Sequence, residues 1–153
     1  MIAIGKVLIS AIVGTSAMTI FSYLVSEAKN KNFKEPEVLA QLAERLPTKV
    51  SKETAHLSGW SMHYAIGLAF VIMYIIYMEQ TKTKSSWSSG MLLGLISGGV
   101  GIGAWKLMFE GHPNPPAKNL KSYFGHLLLA HLVFGVFSAF AHKLTQDDKT
   151  LLS

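Results

Sequence analysis

The stretch "WSSGMLLGLISGGVGIGAWKLMF", Trp87 to Phe109, decides the fold. It contains a single charge, Lys106, near its end. A helix needs about 20 predominantly apolar residues to cross ~30 Å of hydrocarbon, and this run is long enough. Its glycines recur every four residues, at Gly90, Gly94 and Gly98 and again at Gly99 and Gly103. That spacing lets helix backbones approach closely where lipid supplies no hydrophobic drive for helices to associate.

Three further stretches of similar length and character lie at about 2–26, 56–78 and 123–142. Lipid offers no hydrogen bonds to a bare backbone, so each is expected to be a helix. Aromatic rings that favour the headgroup level mark the edges. Tyr23, Trp60, Trp105 and Tyr123 stand on one side, Tyr77 and Trp87 on the other. The first stretch has a poor basic leader and a longer apolar run than a signal peptide, so it reads as a span. The whole composition agrees: 50% hydrophobic, 15% charged, with a mean hydropathy of +0.33. That is too oily for an ordinary soluble domain of 153 residues. The expectation is an all-α polytopic membrane protein, a single membrane domain (1–153) forming an antiparallel four-helix bundle.

The chain has no cysteine, which excludes disulfides and thiolate metal sites. Its net charge of +5 sits in short connectors beside oily runs. It therefore points to anionic headgroups, and no nucleic-acid-binding signature accompanies it. The connectors 29–55 and 110–122 share one side of the membrane; they hold eight of the fourteen Lys and Arg, and Lys106, snorkelling to that side, makes nine. The positive-inside rule places that side in the cytoplasm and both termini outside. Within the first connector, "KEPEVLAQLAERLP" puts Val38, Leu39, Leu42 and Leu46 on one helical face between Pro36 and Pro47. A short amphipathic helix over about 36–46 is expected, either lying on the membrane surface or packed on the end of the bundle. Ser51 is placed to cap the second span.

Each span carries a small or polar stripe. The first has Thr15, Thr19, Ser22 and Ser26, the second His56, Gly59, His63 and Gly67. The fourth has His131, Gly135, Ser138 and His142. With every stripe turned inward the bundle is expected to be full. The few intramembrane charges, Lys106 and Glu110 at i, i+4, are explained by pairing and snorkelling. No channel or ion-coupled pump is expected in a monomer.

Intramembrane ionisable groups are functional candidates. Five of the six histidines lie in the half of the membrane near the two connectors. Three readings stay open. In one, His63 and His131 bind haem or a metal. Against it, His126, which matches His63 in depth, lies about 140° around its helix from His131 at ~100° per residue, and falls at a flank. In the second, Glu110, His112, Asn114, His63 and Tyr123 converge under the proline-rich connector as a headgroup or small-molecule pocket. In the third, the histidines are hydrogen-bonding glue between helices. A lipid-modifying enzyme using Glu110 and His112 would need a nucleophile or metal that the sequence does not offer.

Three short motifs resemble a group of small, uncharacterised bacterial four-helix integral membrane proteins, a family of unknown function. "GTSAM" (Gly14–Met18) matches its first helix, "HYAIG" (His63–Gly67) its second and "HLVFG" (His131–Gly135) its fourth, with Phe134 in place of the usual tyrosine. The resemblance implies fold and location, the bacterial inner membrane, and singles out His63 and His131. The expected function is a structural or binding membrane component without catalysis of its own and with no required cofactor. Its partners are the lipid bilayer and either further copies of itself or a larger membrane complex.

Overall fold

The computed structural model describes residues 4–48 and 50–147. Lys49 and Lys149, which entered the charge bias, and the Ile2 start of the first span lie outside the described residues. Five helices follow one another: α1 (Ile4–Lys29), α2 (Glu35–Glu44), α3 (Lys52–Thr81), α4 (Trp87–Gly111) and α5 (Leu120–Asp147). No strand occurs among the described residues. The four long helices are each long and apolar enough to cross a membrane. The architecture is the expected antiparallel four-helix bundle, with α2 as a short fifth helix.

The long helices overrun the apolar stretches because backbone hydrogen bonding does not stop where hydropathy does. Their ends are closed by polar groups. The Ser51 hydroxyl accepts from the Thr54 amide at 3.2 Å. At the start of α4, Ser86 and Ser89 cap each other reciprocally, at 3.2 and 2.9 Å. Lys82, in the left-handed region at φ 54°, ends α3.

The glycines and small polar residues decide which helices touch. A Cβ on Gly94 would stand 2.6 Å from the carbonyl oxygen of His131, and one on Gly90 2.8 Å from that of Gly135. The backbones of α4 and α5 therefore meet along this stripe. Gly14 lets α5 approach α1 through Ser138. On α3 the small face is spent elsewhere: Gly67 receives Thr15 of α1, and Gly59 receives the backbone of α2 at Pro36 and Ala40. The result is a chain of contacts, α4–α5–α1–α3–α2, in which α5 lies between α1 and α4 while α3 and α4 barely meet.

This arrangement corrects three expectations. The bundle is not full, because α3 has spent its small face, Gly59 and Gly67, on α2 and α1 and has none left for α4. Phe70 of α3 and Met108 of α4 line the space left between these two helices. His126 is not at a flank: α5 has a neighbour on two sides, so it buries a wide arc, and His126 is buried together with His131. Finally, α2 is Glu35–Glu44 rather than 36–46, and it is packed on the bundle rather than lying free on the surface. Val38, Leu39, Ala40 and Leu42 are buried, whereas Leu46 falls beyond the helix and is exposed.

Candidate functional site

Where α3 and α4 fail to pack, the structure holds a cavity of ≈ 210 Å³. All five helices line it: Thr15 and Met18 from α1, Glu35 and Leu39 from α2, His63, Ile66, Gly67 and Phe70 from α3, Val100, Gly101, Ala104, Trp105 and Met108 from α4, and His131 and Phe134 from α5. The residues at the α3–α4 seam, Ile66, Val100 and Ala104, are exposed. The cavity thus opens sideways, between two helices that are apolar on their outer faces. A second cavity of ≈ 370 Å³, lined by Leu46, Met62, Leu107 and His112 among others, shares Leu39 and Met108 with the first. The two adjoin along the seam toward the connector side.

The polar floor of the first cavity is assembled by small hydroxyl residues of α1. The Thr19 hydroxyl lies 2.7 Å from the Thr15 carbonyl oxygen and 2.9 Å from His63 Nε2. A carbonyl only accepts, so the single Thr19 proton goes to it, and His63 Nε2–H donates to Thr19. His63 Nδ1 then carries a lone pair. His131 is fixed in the opposite sense. Its Nδ1–H donates to the Leu127 carbonyl at 2.9 Å, leaving the lone pair on Nε2, which faces Gly101 of α4. Two imidazoles on the cavity wall therefore each present an acceptor nitrogen that has no hydrogen-bond partner among the described residues.

Glu35 lies at the end closed by α2. It is 2% exposed, and its Oε1 accepts from the Ser22 hydroxyl at 2.9 Å, while Oε2 has no partner among the described residues. Burial pushes its carboxyl up from 4.5 to about 8, against the smaller lowering effects of hydrogen bonds from backbone and Ser22, so it is largely neutral near pH 7. Ser22 also lies 2.9 Å from His126 Nε2. The His126 ring is stacked between Phe21 and Phe33, with ring centroids 5.4 and 4.5 Å away. The second connector is tied down over this end. His112 Nε2–H donates to the Leu42 carbonyl (2.9 Å), Arg45 to that of Pro115 (3.3 Å) and Lys118 to that of Asn32 (2.8 Å). Burial lowers the Lys118 ammonium below its usual range.

Comparisons with protein-family models, curated proteins and solved structures return no match.

Of the six residues singled out from the sequence, the fold brings only His63 and His131 to one cavity. Glu110 pairs with Lys106 at 3.8 Å, both side chains exposed. Asn114 is exposed on the connector, where its amide donates to His112 Nδ1 at 3.1 Å. His112 lines the second cavity. Tyr123 is buried in an aromatic cluster with Trp105 and Phe109, and its hydroxyl is unpartnered. The convergence of Glu110, His112, Asn114, His63 and Tyr123 under the connector does not occur, because the connector is drawn onto α2. Glu35, Ser22, Thr19 and Thr15 were not among the candidate site residues. The signal for Glu35 was its place three and four residues before Val38 and Leu39, on the same face of α2.

Proposed function

We propose that this chain is a binding component of the bacterial inner membrane, without catalysis of its own, that holds a bilayer-dissolved small molecule in the seam between α3 and α4. It acts either as a homo-oligomer or as an accessory subunit, with the connector side facing the cytoplasm. What carries the reading is the sideways-opening cavity with apolar walls and a floor bearing two unpartnered imidazole nitrogens. Concave, mostly apolar sites with a few placed polar groups are what small-molecule recognition requires. The same two nitrogens favour a second reading, a metal held by His63 and His131. No group of three or more His, Asp or Glu side chains is poised for a metal among the described residues, so other donors would have to complete the coordination.

The test is native mass spectrometry of protein released from membranes in mild detergent, with metal analysis of the same sample. Binding in the seam requires a discrete small-molecule adduct that disappears in Ala104→Trp, whose indole would fill the rim. Adducts unchanged by Ala104→Trp would overturn it. A stoichiometric metal lost in both His63→Ala and His131→Ala would favour the second reading.

A further inference from the structure

Resting on the seam as a binding site, we propose that its ligand is a hydroxy-aromatic lipid of the quinol class, a ring with hydroxyls carried on an alkyl or isoprenoid chain. Three observations select it. The free polar atoms that reach the cavity are acceptors: His63 Nδ1, by the Thr19–Thr15 relay, and His131 Nε2, by the Leu127 carbonyl, whereas the Thr15 hydroxyl and Glu35 Oε2, unpartnered among the described residues, are themselves buried out of its reach. A ligand must bring hydrogen-bond donors to meet them. Among the described residues no Lys or Arg lines the cavity, so none of them compensates the desolvation of a phosphate or carboxylate there. Size and shape supply the rest. An apolar cavity of ~150 Å³ holds benzene, and ≈ 210 Å³ accommodates one substituted ring but not a pair of acyl chains. Phe70, Trp105 and Phe134 line the cavity and offer that ring the aromatic neighbours that aromatic rings favour. The chain would leave through the exposed Ile66–Val100–Ala104 rim into the hydrocarbon, the phase in which such a molecule is dissolved.

The proposal concerns binding of the reduced ring, not its oxidation. The oxidised ring keeps the size of the quinol but has no hydroxyl donor, and the quinol's dimethyl ether also lacks the donors while adding two methyl groups. Losing two hydrogen bonds to buried acceptors is expected to weaken binding at least about tenfold. The assay is competition in nanodiscs, anaerobically and without added reductant, with a short-chain quinol, its quinone, the quinol's dimethyl ether and a long-chain alcohol measured separately as probes. The quinol is expected to bind tightest in the native chain. His131→Phe, which keeps the ring shape but removes the acceptor, is expected to reduce the quinol-over-ether preference. His63→Leu, which removes the second acceptor, is the second variant should that one fold poorly, with helicity checked for both. Ala104→Trp is expected to abolish binding of every probe. Equal affinity for quinol and ether would overturn the hydroxyl-donor assignment while leaving the seam as a binding site. Tighter binding of the long-chain alcohol would overturn the ring. Binding that survives Ala104→Trp would overturn the seam itself, and with it the function proposed above.

Discussion

Glu35→Gln changes one atom in the floor of the cavity and isolates the electrostatics of that floor. The Glu35 carboxyl is raised from 4.5 to about 8, mainly by burial, so the folded protein holds this proton more tightly than the unfolded chain does. The stability that depends on it is fully present below about pH 4.5. It is lost progressively as the pH rises through the window to about 8, and is flat above. At 1.36 kcal/mol per pH unit across that interval, the difference between the two limits is about 5 kcal/mol. Gln keeps the acceptor for Ser22 at nearly the same shape and cannot ionise, so the variant lacks this slope. The assay is unfolding in detergent followed by circular dichroism from pH 5 to pH 9, native chain against variant. Subtracting one profile from the other cancels the histidines and every other titrating group common to both. The native chain is expected to lose stability relative to Glu35→Gln by several kcal/mol between pH 5 and pH 8. Parallel profiles would refute the reasoning, since they would mean that Glu35 reaches water in the folded state.

Three further expectations follow from packing and pairing. Gly94→Ala drives a methyl group against the α5 backbone at His131 and Leu132 and should destabilise by about 1–3 kcal/mol. Gly99→Ala and Gly103→Ala, with nothing within 4 Å, should be neutral or stabilising by up to ~1 kcal/mol, and thermal unfolding of the three separates them. Tyr74→Phe removes a hydroxyl within 2.7 and 2.8 Å of Ser85 and Ser89, and a cost of about 1–3 kcal/mol is expected from the same measurement. Lys106→Ala breaks the exposed pair with Glu110, and its unfolding midpoint should move by an amount corresponding to less than ~1 kcal/mol.

The sequence makes the four spans legible because their length and lack of charge leave a chain few alternatives in lipid. It makes most of the inward stripes legible too: Thr15, Thr19, Ser22 and Ser26 are all buried, as are His63 and His131, although His56, at the start of the second stripe, is exposed. What it hides is how the stripes are shared. Gly59 and Gly67 look like any small face until α2 and α1 are seen to occupy them. Only then does it follow that α3 has nothing small to offer α4 and that a cavity must open between the two. Glu35 was hidden for a related reason. A carboxylate in "KEPEV" reads as solvated, and only the docking of α2 against α3 decides that Glu35 turns inward while Glu37 stays partly exposed. His126 lies about 140° from His131 on the helix wheel at ~100° per residue, and only the position of α5 between two neighbours buries both.

The central claim is that the seam between α3 and α4 admits molecules from the hydrocarbon phase. Carbene footprinting tests it most directly: a lipid-dissolved diazirine is photolysed with the protein in nanodiscs, and labelled residues are located by mass spectrometry. The outer-face residues Leu92, Leu95 and Ile96, all exposed, should be labelled in any case. The account requires label on the cavity wall as well, at Gly101, Phe70 and His131, and its disappearance in Ala104→Trp. Label confined to the outer faces in the native chain would contradict an open seam.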